Sequence, residues 1–339
     1  DATVYFIVFV SALPILTMNY LAGGMLRCAG NMKVPGLLNV GMCVLDVVFN
    51  FFLIFPTREI HGIVVPGAGL GVLGAAVGTV LAECICAMAM MYFLLFRQKD
   101  LGLRASGFKG NYRPQIDVLG KAAKIALPMT VEHIVLCGAQ ITITMIVAPL
   151  GIAAIAANGF AVTAESLCYM PGYGIGEAAT TLCGQSYGAG RYDLVRRFSH
   201  LSVALGMVVM SVMALLMYIG APWMMALMTP VSDIAQAGAS ILRIEALAEP
   251  MFAASIVAYG AFIGVGDTLL PAAMNFGSIW LVRIPLAAFL APVYGLQGVW
   301  IAMAAELTFR GLIFLARMRW GKWLKPGSTP GSAIGVEDV

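Results

Sequence analysis

Charge is what this sequence has least of. Asp, Glu, Lys and Arg make up 11% of its 339 residues, where soluble domains carry roughly 25%. A water-soluble protein of this length would lack the polar side chains to cover its surface, a requirement that bilayer hydrocarbon removes. The net charge of +3 is too small to make nucleic acid an expected partner. Cysteine motifs are missing as well. The seven Cys stand singly within or at the ends of apolar runs, and Cys84 and Cys86 are too close for a CxxC pair. They read as small apolar filler, so no metal and no cofactor is expected. No basic segment precedes the uncharged run 2–26 and no small-residue cleavage site follows it. The run is expected to be a spanning helix rather than a signal peptide. No alternating pattern suggests strands.

What is present is hydrophobicity: 60% of residues, with a mean hydropathy of +0.90. A membrane span needs about 20 mostly apolar residues. Cutting at charged and Pro/Gly-rich stretches predicts helices near 3–26, 35–56, 70–96, 121–148, 153–182, 198–221, 237–263, 270–291 and 296–317. With the first residue outside, 16 of the 20 Lys and Arg fall in the inner loops and the tail, and one, Arg58, falls in an outer loop. That asymmetry supports both the helix count and a cytoplasmic C-terminus.

The sequence repeats. Adding 236 carries Pro14 to Pro250, Gly24 to Gly260, Gly30 to Gly266, Pro35 to Pro271 and Asn39 to Asn275. At an offset of 224, Gly71 and Gly74 meet Gly295 and Gly298. Helices one to three thus recur as helices seven to nine. Six helices separate the copies, so both run the same way, the parallel repeat that transporters use to place a site between halves. Three helices precede the second copy, and the expectation is that three more precede residue 1. The predicted organisation is 1–98, three helices of an N-terminal lobe; 99–120, an inter-lobe loop; 121–323, a six-helix C-terminal lobe; and 324–339, a disordered tail.

Three stretches carry a family resemblance. They are Gly30-Asn-Met-Lys-Val-Pro35, the run from Pro171 through Gly184-Gln-Ser-Tyr-Gly188 to Arg191, and Gly264-Val-Gly-Asp-Thr-Leu-Leu-Pro271 followed by Arg283-Ile-Pro-Leu286 and Gly295-Leu-Gln-Gly-Val-Trp300. Their order and spacing resemble the multidrug and toxic compound extrusion (MATE) family of cation-coupled antiporters, to about residue 323. The resemblance implies an all-α integral membrane protein of twelve helices in two lobes, this chain holding nine of them. It implies a transporter of the inner (plasma) membrane and no enzyme. It also implies export of small amphipathic, often cationic, drugs or metabolites against H⁺ or Na⁺, by a full-length monomer.

Charges at mid-bilayer cost about 2.5–3.5 kcal/mol on the insertion scale and mark functional candidates. Asp46, Glu83, Glu132, Glu165, Glu177, Glu245, Glu249 and Glu306 fall within the predicted spans. A coupled antiporter needs a carboxylate that is alternately neutralised and released. In some MATE members such carboxylates stand on the first and fourth helices of the second lobe, where this chain has Glu132 and the pair Glu245 and Glu249. Those members place the first-helix Glu eight residues after the helix Pro. Here Leu136 stands at that distance from Pro128, and Glu132 comes at four. The cation-coupling candidates are Glu132, Glu249, Glu165 and Asp46. Met and aromatic side chains suit an adaptable substrate wall, so Tyr169, Met170, Tyr173, Met145 and Tyr259 are candidate lining. Arg283 and Glu306 are a candidate structural ion pair. Glu245 has Arg243 as a candidate partner.

Two other functions compete. A lipid-linked oligosaccharide flippase of related fold would want more Arg than the three found within spans, Arg243, Arg283 and Arg310. An intramembrane enzyme would need a paired base. His133 beside Glu132 is the candidate, and adjacent helix residues point apart. Gly69-Leu-Gly-Val-Leu-Gly74 fits GxGxxG but follows no strand, and Gly184-Gln-Ser-Tyr-Gly188 fits GxSxG without a strand-to-helix elbow.

Overall fold

A computed structural model describes residues 2–60, 63–97, 116–321 and 323–324. The predicted tail after 324 and most of the predicted loop 99–120 lie outside these residues. The chain forms two compact units, 1–113 and 114–339.

In the first unit, α1 (Ala2–Ser11) and α2 (Leu13–Cys28) make one span bent by 48°. Helices α3 (Lys33–Ile54) and α4 (Gly71–Tyr92) follow, the last extended by a π-helical turn to Arg97. Small residues set the packing. A Cβ on Gly74 would lie 2.5 Å from the Leu53 carbonyl oxygen, so α3 and α4 touch backbone to backbone. Ala22, Leu26, Cys86, Met90 and Leu94 form the core beside them.

Between α3 and α4 the all-α fold carries one short hairpin that no alternating pattern announces. Strands β1 (Pro56–Ile60) and β2 (Ile63–Ala68) pair antiparallel. A hairpin of strands this short gives too few alternations to be read from sequence. It forms outside the hydrocarbon, where a loop must find partners for its own backbone groups. The Gly69 and Leu70 N–H groups tie it back to the Phe55 and Leu53 carbonyls, at 3.0 and 2.9 Å.

The second unit holds α5 (Ile116–Val147), α6 (Ile152–Gly188), α7 (Tyr192–Met228), the bent pair α8 (Ser232–Ala246) and α9 (Glu249–Gly264), α10 (Leu269–Ser278), a π turn Ile279–Arg283, and α11 (Ile284–Trp320). The α8–α9 bend is 58°. Helix α9 is the axis of the unit, and its residues Phe252 to Ala258 are all buried. It crosses α6 at glycines: a Cβ on Gly260 would meet the Gly176 carbonyl oxygen at 2.3 Å. Thr180 donates to the Gly260 carbonyl at 2.9 Å across the same crossing.

Six helices are long and apolar enough to cross a membrane, and the two bent pairs raise this to eight among the described residues. The stretch Leu269–Trp320 is 52 residues. As one helix it would run ~78 Å, more than twice the ~30 Å hydrocarbon. Gly295 breaks it with φ 60° and ψ −140°, so it supplies two spans and the described residues hold nine.

The repeat is visible in the backbone. Helix α2 at Leu13–Cys28 and α9 at Glu249–Gly264 share their limits at the offset of 236. Gly30 and Gly266 close them with φ 83° and 81°, and the same hydrogen bonds cap both ends: Asn31 N–H to the Leu26 carbonyl and Asp267 N–H to the Phe262 carbonyl, at 2.9 and 3.0 Å. Gly71 and Gly295 match again, at φ 55° and 60°. Pro14, Pro250 and Pro285 stand in the first turn of a helical segment, the first two at the bend of their spans. There a missing N–H costs nothing. Pro128 and Pro171 do lie inside helices.

Candidate functional site

The second unit encloses a cavity of about 540 Å³ between α5, α6, α9, α10 and α11. Its most constrained polar group is Glu132 on α5, 7% exposed. Tyr259 on α9 donates its hydroxyl to Oε2, and Asn275 on α10 donates from Nδ2 to Oε1 at 2.5 Å. Both donors are neutral. The carboxylate is therefore held by hydrogen bonds and not by an ion pair.

A second cluster stands at the α10–α11 side. Glu306 is wholly buried. Arg283 donates to its Oε2 from Nε at 2.9 Å and from Nη2 at 2.6 Å, and Arg310 donates to it from Nη2 at 3.0 Å. Ser278 donates to Oε1. Ser278 and Arg283 are five residues apart and would point away from each other on an α-helix. The π turn between them brings both onto one carboxylate, a use in keeping with π turns at functional positions.

Several candidates meet at this cavity. Glu132, Glu165, Tyr169, Tyr173, Tyr259 and Arg283 line it. Met145 and Met170 do not: they are 66% and 59% exposed on the outer faces of α5 and α6, which corrects their assignment as lining. Glu249 is also absent from the wall. It stands at the start of α9 and is wholly buried, so its carboxylate is sealed in the interior rather than turned to the cavity. Glu245 shares this burial and does not pair with Arg243, which turns outward over the Tyr218 ring at 5.6 Å. Neither carboxylate of Glu245 or Glu249 has a hydrogen-bond partner among the described residues. Asp46 belongs to the first unit, where Asn50 donates to it at 3.1 Å.

Sequence reasoning did not single out Asn275, Ser278 or the ion-pair role of Arg310. The signals existed. Arg310 stands one turn after Glu306, the spacing at which helix side chains meet. Asn275 was already marked by the repeat. Trp300, in the C-terminal motif, is buried and donates its indole N–H to Asn158 at 2.9 Å, bracing the wall.

An all-α polytopic fold with a parallel repeat and a polar cavity inside one lobe defines a membrane transporter architecture. Solved MATE structures share it. The chain superposes on the Vibrio cholerae transporter VcmN in its bent form with a TM-score of 0.78 at 17% identity, covering 93% of this chain and 68% of that one. An outward-facing MATE multidrug resistance transporter gives 0.80 at 20% identity with the same coverage. Residues 128–289 match the MatE family. NorM of Thermotoga maritima, a probable multidrug resistance protein by name, is 27% identical over 303 residues, 89% of this chain and 63% of its own length. The multidrug resistance protein MdtK of Yersinia enterocolitica is 25% identical, over 87% of this chain and 64% of its own. The chain thus spans less than two thirds of the length of these relatives.

Proposed function

We propose that the complete protein exports amphipathic, often cationic, drugs or metabolites by alternating access, driven by entry of H⁺ or Na⁺ across the plasma membrane. The observation that carries this reading is Glu132, a buried carboxylate at a cavity wall held by two neutral donors. Such a group takes a coupling ion in one state and a cationic substrate in another, and so links the two flows. Glu165, on the same cavity, offers a second carboxylate. Glu249 and Glu245 are wholly buried in the bent span α8–α9, away from the cavity wall. Asp46 keeps its candidacy in the first unit. The cavity volume falls in the ~300–1,000 Å³ range of small-molecule sites. The names of NorM and MdtK support the substrate class. The basic inner loops support a cytoplasmic C-terminus.

The complete gene, expressed in a drug-sensitive bacterium, gives the test. Efflux of a fluorescent cation is followed with the proton gradient intact or collapsed and with Na⁺ present or removed. Efflux should fall with one of the two gradients, and Glu132→Gln should abolish that dependence at unchanged protein level. Efflux indifferent to both gradients refutes the reading.

A further inference from the structure

The first unit carries a groove of about 520 Å³, distinct from the cavity of the second unit. Ile15 and Met18 of α2 form one wall, and Ala87, Met88, Tyr92 and Phe96 of α4 and its π turn form the other. No charged or amide side chain lines it among the described residues. From Cys84 to Phe96 the α4 wall runs ~18 Å along the helix axis. One leaflet is about half of the ~30 Å hydrocarbon, so the groove matches the depth of a single acyl chain.

The repeat explains the groove. Ile15 and Ala87 match Met251 and Gly311 at the offsets of 236 and 224. In the second unit a Cβ on Gly311 would lie 2.4 Å from the Met251 carbonyl oxygen, so α9 and α11 touch backbone to backbone there. Ala87 brings a methyl group that forbids such a contact, and at that place the first unit has the groove.

The same comparison bears on what fills it. The counterpart of Met88 is Leu312, 51% exposed, and Trp320 at the end of α11 is 77% exposed, although six spans pack in that unit. This face of the repeat is thus turned away from the other spans of its own unit, and Met88, Tyr92 and Phe96 are exposed likewise. Hydrocarbon of the bilayer suits it. Met18, Met88 and Met91 give the walls flexible, polarizable side chains that can follow a mobile chain.

The end of the groove selects the headgroup. Arg97 directly follows Phe96, and Arg27 stands in the last turn of α2. Arg97 is exposed and has no acidic partner among the described residues. The basic inner loops support placing this end at the cytoplasmic surface, where long basic side chains reach lipid phosphates. We propose that the groove seats one acyl chain of an anionic phospholipid, with the phosphate drawn to Arg97 and Arg27. The seat belongs to the first unit and does not depend on the cavity of the second.

Photo-crosslinking tests this. The protein from the complete gene is reconstituted in phosphatidylcholine vesicles with a trace of phosphatidylglycerol or phosphatidylcholine carrying a diazirine on one acyl chain. Labelled peptides are mapped by mass spectrometry. The face at Leu312–Trp320 is the internal standard, because it meets lipid without a groove. The phosphatidylglycerol probe should label Ala87–Phe96 severalfold above that standard. Ala87→Leu, which fills the groove, should bring the two faces level, and an unchanged standard shows that the variant is folded. Arg97→Gln should lower phosphatidylglycerol labelling about fivefold, the preference that one basic side chain gives an anionic lipid, and leave phosphatidylcholine labelling unchanged. Equal labelling of both faces in wild type overturns the seat, as does groove labelling that survives Ala87→Leu or is indifferent to Arg97→Gln. Absence of label at Ala87–Phe96 shows that protein covers the groove, and overturns it too.

Discussion

Replacing Glu306 by Gln leaves two guanidiniums facing each other across a neutral amide. At ~5 Å separation and an effective dielectric of ~20, their repulsion is ~3 kcal/mol. Lost hydrogen bonds to a charged acceptor add ~1.5–3 kcal/mol each, offset in part by the amide oxygen. Removing one partner of a buried ion cluster costs about 3–5 kcal/mol in comparable cases, and Glu306→Gln should fall at or above that range. Arg283→Gln removes two hydrogen bonds but leaves a balanced pair, and should cost ~2–3 kcal/mol. Arg310→Gln also leaves a balanced pair, Arg283 with Glu306, and should cost least. With the exposed Cys28, Cys43 and Cys137 and the half-buried Cys84 replaced by Ala, the protein reports on its own unfolding, because Cys168 and Cys183 are free thiols buried in the second unit. A thiol-reactive dye in a thermal ramp would give the order of melting temperatures, Glu306→Gln lowest, then Arg283→Gln, then Arg310→Gln. If Glu306→Gln melts with wild type, or above Arg310→Gln, the two arginines do not depend on this carboxylate and the reasoning fails.

Three further outcomes are expected in the same assay. Gly260→Val should lower stability by ~3 kcal/mol or more, since its Cβ would meet the Gly176 carbonyl oxygen at 2.3 Å; Gly159→Ala, with nothing within 4 Å, should be neutral or slightly stabilising. Gly295→Ala forces a side chain onto φ 60°, ψ −140° and should cost ~1–3 kcal/mol, read as a lowered melting temperature. Trp300→Phe strands the Asn158 side-chain oxygen and should cost ~1–3 kcal/mol, with the loss reduced when Asn158 is replaced by Leu as well.

Much of this fold is legible because bilayer hydrocarbon imposes one rule. Backbone groups must pair within their own segment, so apolar length alone predicts helices. The repeat was legible for a related reason. Gly30, Gly266, Gly71 and Gly295 all have positive φ, and residues that hold the backbone in such conformations resist substitution more than apolar neighbours do. The site was legible only in part. Sequence position places Glu132 and Glu249 alike within spans, but position on the helix decides which faces a cavity, and α9 turns Tyr259 to the cavity while Glu249 is buried away from it. Apolar content could not tell Met145 and Met170, on outward faces, from Tyr169 and Tyr173 on the cavity wall. The π turn was beyond reach. The matched segment of the first copy runs as regular helix within Lys33–Ile54, so nothing in the shared pattern announces the difference.

The bent span α8–α9 has a consequence for how the protein is made. It carries Asp233, Arg243, Glu245 and Glu249, of which Glu245 and Glu249 end wholly buried. On the translocon scale each acidic or basic residue near the centre of a helix opposes entry into lipid by ~2.5–3.5 kcal/mol. A segment so burdened is a poor substrate for insertion on its own. Its natural route into the membrane is against helices already there, with α6 and α7 offering the small-residue surfaces it finally packs on. The charged groups of this span therefore constrain the order in which the newly synthesised lobe is assembled.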